Sequence, residues 1–168
     1  EKKYSHYWTL DVSKCFDSIY THSLSWALKD KDFTKANVSV AATFAQEFDS
    51  AMQYANHKET NGIVIGPEVS RIFAEMIFQE IDRRVMARLE LRSLEFGNHY
   101  AIRRYVDDVF IFSRTETQAA CVYESYADVL SDFNLFANSG KAEKLKRPFA
   151  TKKSRIIYKA GRSVTEFI

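Results

Sequence analysis

Three acids sit where acids are costly. Asp11 closes the aromatic, β-type run Tyr7-Trp8-Thr9-Leu10. Asp107 and Asp108 interrupt the apolar stretch Tyr105-Val106-Asp107-Asp108-Val109-Phe110-Ile111-Phe112. A carboxylate in a half-buried hairpin loses hydration unless a basic side chain, a proton or a cation offsets the loss. Hard divalent cations take oxygen ligands, and Mg2+ is typically held by one or two carboxylates plus substrate phosphates. Asp11 from one strand end and Asp107 from a neighbouring hairpin could supply them. Two metals about 4 Å apart would then activate an attacking hydroxyl and stabilise a departing pyrophosphate. The plainer alternative is a wet turn, which Asp favours. Adjacent residues of a regular strand face opposite ways, so both acids serve one site only where a turn breaks the alternation.

The elements that must carry these acids follow from periodicity. Tyr7 to Val12 and the pair Tyr100–Val106 and Val109–Ser113 read as strands, the last two joined at Asp107-Asp108. Ser18 to Lys29 reads as a helix with Ile19, Leu24, Ala27 and Leu28 on its apolar face. On that reading Asp17 caps the helix, and His22 and Trp26 pack one turn apart. Val38 to His57 reads as a longer helix, with Val40, Phe44, Phe48, Met52 and Ala55 at spacings of four and three. After the loop Lys58–Gly66, Pro67 takes the first helical position. The helix it opens carries Ile72, Phe73, Met76, Ile77, Ile81, Val85 and Leu89 and runs to about Leu91. Thr115 or Thr117 caps a helix ending near Asp132. Asn134 to Ala137 reads as a last short strand, and Asn138-Ser139-Gly140 as a turn. The order predicts one α+β domain, a mostly antiparallel sheet with helices packed on one face, close to the split β-α-β arrangement of ferredoxin-like folds.

Composition narrows the class. The 168 residues are 46% hydrophobic and 27% charged, with only 5 Gly and 2 Pro, which excludes disordered and collagen-like chains. No apolar run approaches the ~18 residues of a membrane span, so no membrane partner is expected. Cys15 and Cys121 cannot build a disulfide framework, which fits a reducing cytoplasm, and no Cys/His cluster suggests structural zinc. A chain that opens on Glu1 reads as part of something longer. Residues 141–168 hold nine Lys/Arg against two Asp/Glu, a balance of +7, whereas residues 1–140 hold fifteen against twenty, a balance of −5. A basic end beside an acidic body suits a polyanion-binding protein, and equally a solvated basic tail.

Four segments in series resemble the motifs of reverse transcriptases. Asp11-Val12-Ser13-Lys14-Cys15-Phe16-Asp17-Ser18-Ile19 is similar to motif A, and Gly62-Ile63-Val64-Ile65-Gly66-Pro67-Glu68-Val69-Ser70 to motif B. Tyr105-Val106-Asp107-Asp108 is similar to motif C and Asn138-Ser139-Gly140-Lys141 to motif D. Ile19-Tyr20-Thr21-His22-Ser23-Leu24, Trp26-Ala27-Leu28 and Gly66-Pro67-Glu68-Val69-Ser70-Arg71 look most like bacterial reverse transcriptases of abortive-infection and related phage-defence systems. The resemblance covers the palm, as one catalytic domain over 1–168. Fingers would precede it and a thumb follow, with 141–168 leading toward the primer grip.

The resemblance implies an RNA-directed DNA polymerase with two Mg2+ ions, or Mn2+, acting on dNTPs with an RNA or DNA template and primer. Asp11, Asp107 and Asp108 would be the metal-binding acids, Asp108 the least direct, with the Val12 carbonyl completing one metal shell. Phe16 would be the aromatic gate that crowds a ribose 2′-OH, or else a core residue. Gly66 would let backbone approach the nucleotide. Lys141 would protonate the leaving pyrophosphate, or is a surface lysine. Arg147, Lys152, Lys153 and Arg155 would track nucleic-acid phosphates. Arg103 and Arg104 are read as surface arginines, or as groups that neutralise the acids or touch a primer phosphate. One departure stands out: Ile65 occupies the place where many reverse transcriptases have Gln. An aliphatic side chain cannot donate a hydrogen bond to the nucleotide sugar, which fits family members that polymerise without a template. The alternatives are an RNA-dependent RNA polymerase palm, against which Val106 and Phe16 argue, and a nucleic-acid-binding scaffold without activity. An oligomer is compatible with the sequence, but no motif encodes one.

Overall fold

β1 (His6–Asp11) alternates buried Trp8 and Leu10 with half-exposed Tyr7, Thr9 and Asp11. That alternation buries one face of a strand and leaves the other open. The computed structural model describes residues 3–28 and 44–149. Within it β1 pairs antiparallel with β3 (Asp108–Ser113), which pairs antiparallel with β2 (Tyr100–Tyr105). β4 (Lys144–Lys146) lies on the other side of β1, so the strand order is β2-β3-β1-β4. This is the order of a split β-α-β, ferredoxin-like sheet, and all its pairings are antiparallel.

Two long helices cover the buried face. α4 (Glu68–Leu91) presents Phe73, Ile77, Ile81, Val85 and Leu89, a strict spacing of four, to the core. α5 (Glu116–Asp132) contributes Ala119, Val122, Tyr126, Val129 and Leu130. Its start is set by a capping box, in which Thr115 accepts from the Gln118 N–H and the Gln118 side chain accepts from the Thr115 N–H. Pro67 stands at the cap of α4 rather than at its first helical residue, one position earlier than the sequence suggests.

The first helical segment differs more. The continuous helix expected from Ser18 to Lys29 is broken into α1 (Cys15–Ser18) and α2 (Ser23–Leu28). Ile19 turns extended, Tyr20 bridges to Asn61, and the Thr21 N–H donates to Thr60 O. Pairing with a distant segment outweighs local helix propensity here. Asp17 therefore lies inside α1, and Lys14, at φ 45°, holds the cap position without a side-chain cap bond. The Tyr20 ring contacts both His22, at 5.0 Å, and Trp26, at 5.4 Å. Leu28 is exposed.

α3 (Phe44–Ala55) matches the centre of the helix expected over Val38–His57; residues 38–43 lie outside the described residues. Its inward residues are Ala45, Asp49 and Met52, while Phe44 and Ala55 are exposed and Phe48 half-buried. The face is rotated because Asp49 turns inward to meet the His22 ring and the Gln53 amide. The strand expected at Asn134–Ala137 is reduced to one bridge, Val12 with Ala137. The edge of β1 at His6–Trp8 is instead taken by Lys144–Lys146.

Candidate active site

The register places the acids. Asp11 ends β1, Asp108 begins β3, and the two are direct cross-strand partners. Opposed residues share a face, so both carboxylates lie on the side of the sheet away from the helices. Like charges directly opposite destabilise a sheet, so this end of the sheet favours a positive counter-charge. Asp107 sits in the two-residue turn, with Val106, between β2 and β3. The alternation thus breaks at Asp107, while Asp108 belongs to the strand rather than to the turn.

Lys141 supplies one counter-charge. Its Nζ lies 3.2 Å from one Asp11 oxygen and 3.3 Å from the other. The short 3₁₀ turn Ser139–Lys141 holds it there, closed by the Asn138 side chain accepting from the Gly140 N–H. Asn138 also donates its side-chain N–H to Asp11 at 3.2 Å and its backbone N–H to Asp11 O at 2.7 Å. Lys141 thus lies at the surface, its side chain 67% exposed, and pairs with Asp11. Asn138, which the sequence places in a turn and in the motif D-like segment, is a direct partner of Asp11.

Burial pushes the Asp107 carboxyl up, and the charges of Asp108 and Asp11 push it further, against hydrogen bonding to its backbone and the pull of Lys141. Beneath the acids, burial and then the Asp107 charge raise the Cys15 thiol to about 12. The donors at this end of the sheet are carboxylate oxygens, the chemistry a hard divalent cation prefers. Asp107 is destabilised as an anion by its neighbours, and a cation would relieve that. The residues fit such an ion in donor type and electrostatics. Among the described residues, however, no three His, Cys, Asp or Glu side chains close into a group able to hold a metal ion. Asp11 and Asp108 are brought side by side, and Asp11 is already occupied by Lys141 and Asn138.

Phe16 is half-buried and packs against the core, and its carbonyl accepts from the Ile63 N–H at 2.9 Å. The segment before α4 is thereby fastened to α1. Gly62 makes that approach possible: it sits at φ +86°, and a Cβ there would lie 3.1 Å from Asp17 O. Gly62→Ala is expected to lower stability by about 1–3 kcal/mol, the scale of a strained backbone position, seen as a reduced Tm in thermal denaturation. An unchanged Tm would mean that this approach is not fixed. Gly66, at φ +119°, faces open space where a Cβ would point, so only its backbone conformation calls for glycine. Ile65 beside it is exposed.

The basic residues divide. Arg104 is not a surface arginine: its side chain is 9% exposed and is paired with Glu75 and Asp82 of α4. It faces the helices because Ile102 does, two residues before on the same strand. Arg103, on the other face, is exposed. The Arg147 guanidinium lies 5.8 Å from the Phe149 ring centre, and the Arg147 backbone N–H donates to Ser5 O. Lys152, Lys153 and Arg155 lie outside the described residues. No helix among the described residues is long and apolar enough to cross a membrane.

Comparison with known proteins bears on this geometry. Similar solved structures include apo telomerase from Candida tropicalis truncated from its C-terminal domain, with TM-score 0.61 and 15% identity over 88% of this chain and 31% of that one. Telomerase from Candida albicans in complex with a fragment of telomeric RNA gives TM-score 0.58 and 11% identity over 87% of this chain and 27% of that one. At such identities the likeness is one of fold, an α+β palm with a four-stranded antiparallel sheet. The chain spans about three-tenths of the length of these structures. No curated protein matches the sequence. The family model described as reverse transcriptase (RNA-dependent DNA polymerase) matches residues 1–156, nearly the whole chain, and the chain therefore belongs to the reverse transcriptase family.

Proposed function

We propose that this chain is the palm of a longer reverse transcriptase, which transfers nucleotides from dNTPs to a primer 3′-hydroxyl. The observation that carries the reading is the direct opposition of Asp11 and Asp108, with Asp107 on the adjoining turn. Asp11 and Asp107, helped by Asp108 and the Val12 carbonyl, would hold divalent cations, Mg2+ or Mn2+. Bound there, such ions supply charge neutralisation at the phosphate and a more acidic hydroxyl. The chain's own residues do the rest. Phe16 limits the room beside the sugar, and Gly66 leaves backbone accessible to the nucleotide. Lys141, a positioned ammonium, leaves Asp11 for the departing pyrophosphate and donates its proton there. Arg147 and the basic residues 152, 153 and 155 hold primer–template phosphates.

The test is primer extension by the full-length protein on a primed RNA template with dNTPs and Mg2+. Metal-dependent extension that Asp107→Asn abolishes supports the reading. Absence of product removes it and leaves the scaffold alternative, and equal product from both proteins removes Asp107 from the chemistry and with it this assignment of the acids. The exposed aliphatic Ile65, where a Gln would reach the sugar, supports a second reading, polymerisation without a template. In that case product length is unaffected when the template is omitted.

The biological setting we propose is a bacterial cytoplasm under phage attack. It rests on the residues from Ile19 to Leu28 and from Gly66 to Arg71 that resemble defence-system reverse transcriptases, and on free Cys15 and Cys121. Expression of the full-length protein in a susceptible bacterium is expected to lower phage plating, and Asp107→Asn to restore it. Equal plating with both would exclude the defence role.

A further inference from the structure

We propose that Arg104 is a positioning residue for the Asp107 turn: it ties the Val106 carbonyl to two acids of α4 and so holds the turn against the helix layer. The inference rests on the reading of Asp107 as a carboxylate of polymerisation.

Every donor group of the guanidinium is used. Nε donates to Asp82 at 2.9 Å. Nη2 donates to Glu75 at 2.9 Å and also lies 2.9 Å from Asp82. Nη1 donates to Glu75 at 2.8 Å and to the Val106 carbonyl at 3.0 Å. The Phe78 ring centre lies 5.0 Å from the guanidinium carbon, and the Tyr126 hydroxyl donates to the other Asp82 oxygen at 2.5 Å. Helices α4 and α5 and strand β2 thus meet at one side chain. Burial by itself would push the guanidinium down, but its hydrogen bonds to Glu75 and Asp82 and the Asp82 charge hold it above its ordinary value. Reciprocally, the bond from Arg104 lowers the Glu75 carboxyl, in spite of partial burial.

The turn needs such a hold. Val106 has φ +55°, a region that a β-branched residue avoids. A strained residue keeps that conformation only where its surroundings over-determine it. Here the surroundings are the two-residue connection and the bond from Arg104 to the carbonyl just before Asp107. A buried ion pair is by itself weak evidence of stability. The contact to the turn is what gives this one a consequence at the acids. Lysine cannot replace it, because one ammonium lacks the planar fork that meets both acids and the carbonyl together.

The experiment uses the full-length protein in primer extension. Arg104→Lys keeps the charge between the acids and is expected to lower kcat by about 10- to 100-fold, the scale of a slightly misplaced catalytic group. KM for dNTP should stay within about threefold. Val106→Gly added to Arg104→Lys is expected to recover at least about threefold of kcat, because glycine takes positive φ without strain. A merely structural arginine would lower Tm, leave kcat unchanged well below Tm and show no such recovery. If Arg104→Lys does not fold, Glu75→Ala, at a side chain 44% exposed, removes one end of the clamp and should lower kcat with the same unchanged KM. Parental kcat in Arg104→Lys, or in Glu75→Ala where the former fails to fold, overturns the proposal while an inactive Asp107→Asn leaves the catalytic reading intact. If the parent itself proves inactive, the catalytic reading falls, and amide hydrogen exchange decides the clamp. Arg104→Lys, or Glu75→Ala in its place, should speed exchange at Val106 and Asp107 at least about tenfold, and unchanged exchange overturns it.

Discussion

Asp107→Asn in the full-length protein is expected to cut deoxynucleotide incorporation by on the order of 10³-fold. The scale is that of losing one preorganised electrostatic group where charge develops, with the loss of a cation ligand added. Asn keeps the size and the turn propensity of Asp, so the loss reports charge rather than folding. Thermal denaturation without added metal separates the two. Burial and the neighbouring Asp108 and Asp11 charges raise the Asp107 carboxyl, so between its unfolded and folded values the native state binds more protons than the unfolded chain. Its contribution to stability is therefore largest at low pH and is lost as pH rises through that window. At neutral pH the repulsion is fully present, and Asp107→Asn should raise Tm slightly, by about 1–4 °C for a chain of this length. A variant that is both inactive and more stable has lost function where the parent stores repulsion. A variant that keeps parental activity would remove Asp107 from the chemistry.

Phe16→Val is expected to raise the use of ribonucleotides relative to deoxynucleotides by about 10- to 200-fold, the discrimination that a small volume change in a close-packed pocket provides. The ring is half-buried, and the backbone that carries it is fixed by the Ile63 N–H. A fixed backbone matters, because a gate on a loose segment would swing aside. The measurement is the ratio of kcat/KM for a dNTP and the matching rNTP. If the ratio does not move while Tm falls, Phe16 is a packing residue and the gate assignment is wrong. The two outcomes are separable because core truncation acts on stability, whereas a gate acts on the ratio.

The elements that carry the acids were legible because strands and hairpins leave short-range marks. β1 shows period-two alternation, and the run Tyr105 to Phe112 is apolar on both sides of a turn signal. α4 keeps its stripe over 24 residues, so its end near Leu91 follows from spacing alone. The Ser18–Lys29 segment reads as one helix and is broken for the opposite reason. Its apolar spacing is helical, but its break at Ile19-Tyr20 is made by residues 60–62, forty positions away. Likewise, nothing local announces that Lys144–Lys146 rather than Asn134–Ala137 would take the edge of β1. Arg104 reads as a surface arginine because an arginine on a strand has no sequence mark for which acids wait on the helix beneath.

The amino-acid sequence alone determined the α+β class, the order of elements and the identity of the acidic residues, since these depend on propensity, periodicity and residue type within short windows. Tertiary structure decided which acids stand opposite each other, that Lys141 and Asn138 meet Asp11, and that Arg104 faces Glu75 and Asp82. Those are matters of register and strand parity. A shift of one residue along β1 or β2 would turn the same side chains to the other face of the sheet, and no local interaction sets that register.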